Sequence, residues 1–131
     1  MDWEGPFEPE GGSVAAARRF AQRYFERVTS RSLSDLTLVV SELATNAIVH
    51  ARTSFSVGLH LGGGIARVDV LDHAPELPNE HSLALSTSNG RGLMIVAALA
   101  DEWGVEWTPA TKTVWAELAV TLANPLRRDF L

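Results

Sequence analysis

Between Ser13 and Val28 the apolar residues Val14, Ala17, Phe20, Ala21, Tyr24, Phe25 and Val28 recur at helical spacing. Ser13 offers a side chain suited to an N-cap, so the pattern predicts a first helix over 13–28. A second helix opens at Ser34, with Asp35 in its first turn, and runs to about Ala51 on Leu36, Val39, Val40, Leu43, Ala47 and Val49. The period then changes to two. Phe55, Val57, Leu59 and Leu61 alternate with Ser56, Gly58 and His60, which predicts a strand over 53–61. Gly62-Gly63-Gly64 supplies a turn and Ile65 to Leu71 the return strand of a hairpin.

Residues 73–89 are rich in Pro, Ser, Thr, Asn and His and carry neither period. An irregular stretch of that length in a small domain is a lid, a binding loop or disorder. After it, Leu93 to Ala100 reads as a short apolar helix, 103–107 as a strand, Pro109-Ala110-Thr111 as a turn and Lys112 to Val120 as a last strand. Residues 1–12 hold four acidic residues, two prolines and three glycines and read as an extended or frayed, flexible lead-in. The domain then spans 13–122, followed by a tail over 123–131, with no internal repeat. The order of elements predicts an α+β fold: a two-layer α/β sandwich whose mostly antiparallel, mixed sheet is covered on one face by helices.

Three polar residues interrupt the second helix at a regular interval: Glu42, Asn46 and His50. A step of four residues on an α-helix rotates the side chain by only ~40° and advances it ~6 Å. The three therefore form one tilted stripe with hydrophobes on both sides, as in the wall of a polar pocket. A lone helical Glu is ordinarily a surface carboxylate; beside an Asn on the same face, Glu42 is a candidate proton acceptor. Asn is a poor helix former, so Asn46 needs a buried hydrogen bond or a ligand, and its amide oxygen suits Mg²⁺. His50 either serves the same region or is a C-terminal helix histidine favoured by the dipole. Asp72 closes the apolar run Val68-Asp69-Val70-Leu71, as an ordinary turn residue or as a carboxylate at a pocket floor. Gly90-Arg91-Gly92-Leu93 opens the third helix, where glycine permits close backbone approach and free amides favour an anion. It is not a Walker A loop. Thr113 reads as a β-branched strand residue, and Trp103, Trp107 and Trp115 as packing residues.

Composition narrows the classes. A chain of 131 residues with 46% hydrophobic and 21% charged residues forms one globular domain with its own core. The absence of cysteine excludes disulfides, thiolate metal sites and cysteine nucleophiles. No basic leader precedes an apolar run, and no run of about 20 apolar residues predicts a membrane span, so a cytoplasmic protein without membrane partners is expected. A net charge of −5 argues against a nucleic-acid partner. Arg18, Arg19, Arg23, Arg27 and Arg31 fall at helical spacing and predict one exposed basic face.

Taken in order, Glu42-x-x-x-Asn46-Ala47-x-x-His50-Ala51, Asp72-x-Ala74-Pro75, Gly90-Arg91-Gly92-Leu93 and Lys112-Thr113-Val114-Trp115 resemble the ATP-binding superfamily of gyrase, histidine kinases and bacterial anti-sigma-factor serine kinases (the GHKL, or Bergerat-fold, ATPases). The resemblance covers about residues 14–120 and is nearest to short stand-alone anti-sigma-type members of actinobacteria, with Ala100-Asp101-Glu102-Trp103-Gly104 in support. It implies that ATP is the substrate and Mg²⁺ the metal, with Asn46 the Mg²⁺ ligand and Glu42 the catalytic base. Asp72 would read the adenine amine, with Ala74 and His50 in the nucleotide site. Gly90, Arg91, Gly92 and Leu93 would close over the phosphates, and Thr113 would support the adenine. It further implies a serine/threonine kinase that phosphorylates a serine of an anti-anti-sigma antagonist and also binds a sigma factor, often as a homodimer. The family's Asp-x-Gly-x-Gly segment reads here Asp72-His73-Ala74-Pro75-Glu76, without its glycines. That departure keeps open an alternative, a catalytically weak or inactive nucleotide- or partner-binding module that regulates transcription by contact. A detached histidine-kinase catalytic domain is disfavoured, because no phosphoacceptor helix precedes residue 13.

Overall fold

The structure, a computed structural model, describes residues 1–74 and 91–123. The long irregular segment expected over 73–89, with Gly90 beyond it, lies outside the described residues from position 75 onward, as does most of the tail.

A five-stranded sheet is built from β1 (Asp2–Phe7), β2 (Phe55–Gly62), β3 (Ile65–Asp72), β4 (Glu102–Trp107) and β5 (Lys112–Ala119), in the order β1-β2-β3-β5-β4. Every strand pairing among the described residues is antiparallel, so the expected two-layer α+β sandwich is present with no parallel pair in its sheet. The hairpin β2–β3 turns at Gly63 and Gly64, both with positive φ, as the glycine run demanded. Helices α1 (Gly12–Tyr24), α2 (Ser30–Asn46) and α3 (Arg91–Leu99) complete the second layer, with α2 packed against α1 on one side and α3 on the other.

The core lies between α2 and the inward face of the central strands. Leu36, Val39, Val40 and Leu43 from α2 meet Phe55, Val57 and Leu59 of β2, Val68 and Val70 of β3, and Val114 and Ala116 of β5, all essentially solvent-free. By length and composition alone, the helical span Ser30–Ala51 is apolar enough to cross a membrane, a test that the core helix of a globular domain also passes. Here Leu36, Val39, Val40, Leu43, Ala44 and Ala47 of the span face the core, while Leu38 and Val49 are exposed.

Three local differences from expectation have physical causes. The lead-in is not frayed over Asp2–Phe7: it forms edge strand β1, with Trp3 opposite Gly58 and Phe7 stacked on Phe55 at 5.3 Å between ring centroids. Helix α1 starts at Gly12 without a side-chain cap, with Ser13 buried, and it stops at Tyr24. Phe25 leaves helical geometry there, because Val28 forms a bridge to Leu122 while Phe25 and Val28 stay in the core. Helix α2 begins one turn earlier than Ser34. Thr29 is its N-cap, its hydroxyl accepting from the Ser32 N–H at 3.3 Å, and the Thr29 N–H donates to the Thr121 carbonyl at 2.8 Å.

Candidate functional site

The polar stripe of α2 survives only in part. Glu42 and Asn46 sit one turn apart near the end of α2, each half-buried. Directly after Asn46 the helix widens into a π-helical turn over Ala47–Ala51, in which the Arg52 N–H reaches back to the Ala47 carbonyl at 2.9 Å. Arg52, at φ 57°, then ends it. An i→i+5 turn breaks the four-residue rotation that would have kept His50 in line, and His50 is exposed at the end of the helix. The widened turn is itself a feature found at functional sites, and no spacing in the sequence announces it.

Among the described residues neither the Glu42 carboxylate nor the Asn46 amide has a hydrogen-bond partner. Nothing among the described residues competes with a ligand for either group. Glu42 also marks where α3 approaches α2: a Cβ placed on Gly92 would lie 3.0 Å from Glu42 Oε2. Glycine lets the first turn of α3 pass this carboxylate closely. Next to Gly92, Leu93 turns its side chain into the core, so only its backbone can face a ligand.

Asp72 ends β3 on the inward face, 1% exposed, and the π-helical turn packs on the same strand. Its Oδ1 accepts the Ala74 N–H at 3.0 Å, which folds the chain back immediately after the strand. The adjacent His73 N–H donates to Thr53 Oγ1 at 3.0 Å. Oδ2 of Asp72 is held by Lys112 Nζ at 3.2 Å.

This last contact corrects the place given to Thr113. In the β3–β5 register Asp72 stands opposite Lys112, and Thr113 stands opposite Leu71. Successive side chains of a strand point to opposite faces, so Lys112, Val114, Ala116 and Leu118 are buried inward while Thr113 and Trp115 fall on the outer face of the sheet. Thr113 does not join Asp72; Lys112 does. The Lys112 ammonium also lies 5.8 Å from the centroid of the Trp107 ring.

The outer face is occupied by a separate polar array. Arg67 donates to Asp69 at 2.8 Å and to Glu117 at 3.2 Å, with its guanidinium 4.4 Å over the Trp115 ring, which in turn lies flat against Gly104. Burial raises the Asp69 carboxyl above its ordinary range, and Arg67 only partly offsets this. The sheet separates this array from Glu42, Asn46 and Asp72. The five arginines at helical spacing are all exposed, but only Arg18, Arg19 and Arg23 share α1.

The family model for the histidine kinase-like ATPase domain matches residues 6–118. No curated protein matches the chain. Among solved structures, that of the RsbU and RsbW domains of Rv1364c from Mycobacterium tuberculosis is similar at 14% identity and a TM-score of 0.69, covering 95% of this chain and 35% of that one. The histidine kinase AdeS of Acinetobacter baumannii is similar at 12% identity and a TM-score of 0.55, covering 95% of this chain and 69% of that one. The blue-light activated histidine kinase EL346 of Erythrobacter litoralis is similar at 20% identity and a TM-score of 0.58, covering 92% and 43%. The chain thus spans about a third of the mycobacterial structure, and these likenesses are of fold. The family model covers all of the described strands except the outer part of β1 and the last residue of β5, together with every helix. This chain belongs to the histidine kinase-like ATPase domain family.

Proposed function

We propose that this protein is a cytoplasmic ATP-binding regulator: an anti-sigma factor that transfers the γ-phosphoryl group of ATP to a serine of an anti-anti-sigma antagonist. The observation that carries the reading is the pair Glu42 and Asn46, one turn apart on α2, unpartnered among the described residues and with the glycine-bearing end of α3 against Glu42. The family, the order of the sequence motifs and the likeness of fold to a structure containing an RsbW domain support it.

The residues fit a magnesium nucleotide. The Asn46 amide oxygen is a hard neutral donor with no competing partner among the described residues, which suits Mg²⁺, most of whose ligands are waters and phosphate oxygens. Bound there, Mg²⁺ would neutralise phosphate charge. Glu42 accepts the proton of the attacking serine hydroxyl as its oxygen bonds to the γ-phosphorus; the bond to the β-phosphate oxygen breaks and ADP leaves. Amides at the start of α3, at Arg91 and Gly92, would face the phosphates, and Gly90 directly precedes them in the sequence. Transfer of this kind depends on positioning and charge stabilisation rather than on covalent protein chemistry. Asp72 and Ala74 form the base end of the site. His50, at the rim, contacts the polyphosphate from the solvent side. A sigma factor and the antagonist are the partners, and a second copy of the chain completes a homodimer.

A second reading, a contact regulator that holds nucleotide weakly or not at all, is favoured by one observation. Asp72 is already paired with Lys112, and the segment after it carries Ala74 and Pro75 where the family has flexibility from glycine. A pull-down from the native cytoplasm with and without Mg-ATP separates the two. Capture of a small partner that acquires a single phosphoserine supports the kinase; capture that ignores nucleotide supports the contact regulator.

A further inference from the structure

The Lys112 ammonium is an unusual group to find at the floor of an apolar sheet. Its side chain is 6% exposed, and of its three N–H donors the described residues satisfy one, through Asp72 Oδ2 at 3.2 Å. The Trp107 ring lies on one side of it without accepting a conventional hydrogen bond. Buried donors left unpaired are costly, more so on a charged group, so the position calls for an acceptor from outside the described chain. Asp72 has the converse character. Among the described residues each of its oxygens has one partner, Ala74 N–H or Lys112 Nζ, which leaves each a further lone pair. An acceptor and a donor thus stand side by side, both nearly closed to solvent, at the end of β3 where the base is proposed to bind.

We infer that Lys112 is a second base-reading residue, and that with Asp72 it lets the site take 6-oxopurine nucleotides such as GTP as well as ATP. The inference rests on the nucleotide-binding reading above. Adenine presents its N6 amine beside the N7 acceptor: the amine donates to Asp72 while the ring nitrogen accepts from Lys112. Guanine presents its O6 acceptor beside the N1–H donor, and the same pair serves it with O6 on Lys112 and N1–H on Asp72. A solitary carboxylate would accept from adenine but would set its lone pairs against those of O6, and a site that leaves polar groups unpaired in this way rejects the wrong base strongly. Lys112 removes that rejection. Its placement follows from the register that sets it opposite Asp72 on the inward face.

Calorimetry on the full chain with Mg-ATP, Mg-GTP and Mg-ITP tests this; inosine keeps the 6-oxo group and N1–H but lacks the 2-amine, and so isolates the contact. In the native protein GTP and ITP are expected to bind within about tenfold of ATP. Lys112→Met should weaken both by at least about tenfold more than it weakens ATP, because all three lose the Lys112 hydrogen bond but only the 6-oxo bases are left with O6 against the Asp72 carboxylate. Lys112→Gln, which keeps a neutral donor to Asp72 at slightly shorter reach, should fall between the native protein and Lys112→Met, with the folding of both variants checked by urea denaturation before titration. ATP bound with GTP and ITP more than about a hundredfold weaker in the native protein would overturn this inference and leave the nucleotide site standing. An unchanged ratio of ATP to ITP affinity in both variants would do the same. Binding of none of the three would overturn this inference and the parent reading together.

Discussion

Lys112 Nζ and Asp72 Oδ2 lie 3.2 Å apart between directly opposed residues of β5 and β3, both almost excluded from solvent. Each charge is tolerated there because of the other. Removing one partner of such a pair costs about 3 kcal/mol or more, whereas replacing both by uncharged groups of similar volume is close to neutral. Asp72→Asn should therefore destabilise the protein by about that amount in urea denaturation, and adding Lys112→Met should restore much of the loss. A double variant as unstable as the sum of the two single variants would show that the pair is uncoupled.

Gly92→Ala separates stability from chemistry. The new methyl would sit 3.0 Å from Glu42 Oε2, the far end of a flexible side chain, which moves aside at little cost. Alanine in a helix gains up to about 1 kcal/mol over glycine, so the net stability change should stay within about 1 kcal/mol. Phosphoryl transfer should fall much further, because the displaced carboxylate is the proposed base. Unfolding midpoints and single-turnover transfer measured on the same sample test both halves.

Glu42→Gln should abolish transfer while leaving the affinity for Mg-ATP within about threefold, since the amide preserves shape but cannot take the proton. Full transfer by this variant would remove Glu42 from the role of base.

The outer face predicts a pH effect remote from the site. Burial raises Asp69 above its reference value of 3.8 against the opposing pull of Arg67, with the carboxylates of Glu106 and Glu117 adding to the rise. The unfolded chain then loses this proton first, binds fewer protons than the folded one over that window, and stability falls as pH rises from 3.8 through the raised folded value. Asp69→Asn should lack that component. Urea denaturation of both proteins across the window should show the native protein losing stability relative to the variant as pH rises; a difference that does not change with pH would contradict the assignment.

The sequence made α2, the β2–β3 hairpin and the two-layer arrangement legible, because each rests on a local period or a glycine turn. Edge strand β1 was not: Trp3, Gly5, Pro6 and flanking acidic residues have no strand period, and its conformation is imposed by pairing with β2. The stripe could be read at Glu42 and Asn46 but not at His50, since the π-helical turn between them leaves no mark in residue spacing. Lys112 was missed and Thr113 taken in its place for one reason. Which of two neighbouring strand residues faces Asp72 depends on the β3–β5 register, a non-local property. The inward set Lys112, Val114, Ala116 and Leu118 was the available signal: a lysine in phase with three buried apolar residues is a lysine with a partner.

A magnesium nucleotide seated against Asn46 is tested most directly by titration calorimetry of the native protein and Asn46→Ala with Mg-ATP. Saturable binding by the native protein, weakened at least about tenfold in a variant of unchanged stability, is the predicted result, as expected for loss of a metal-ligating oxygen. Equal affinity in the two proteins, or no heat from either at millimolar nucleotide, would contradict it.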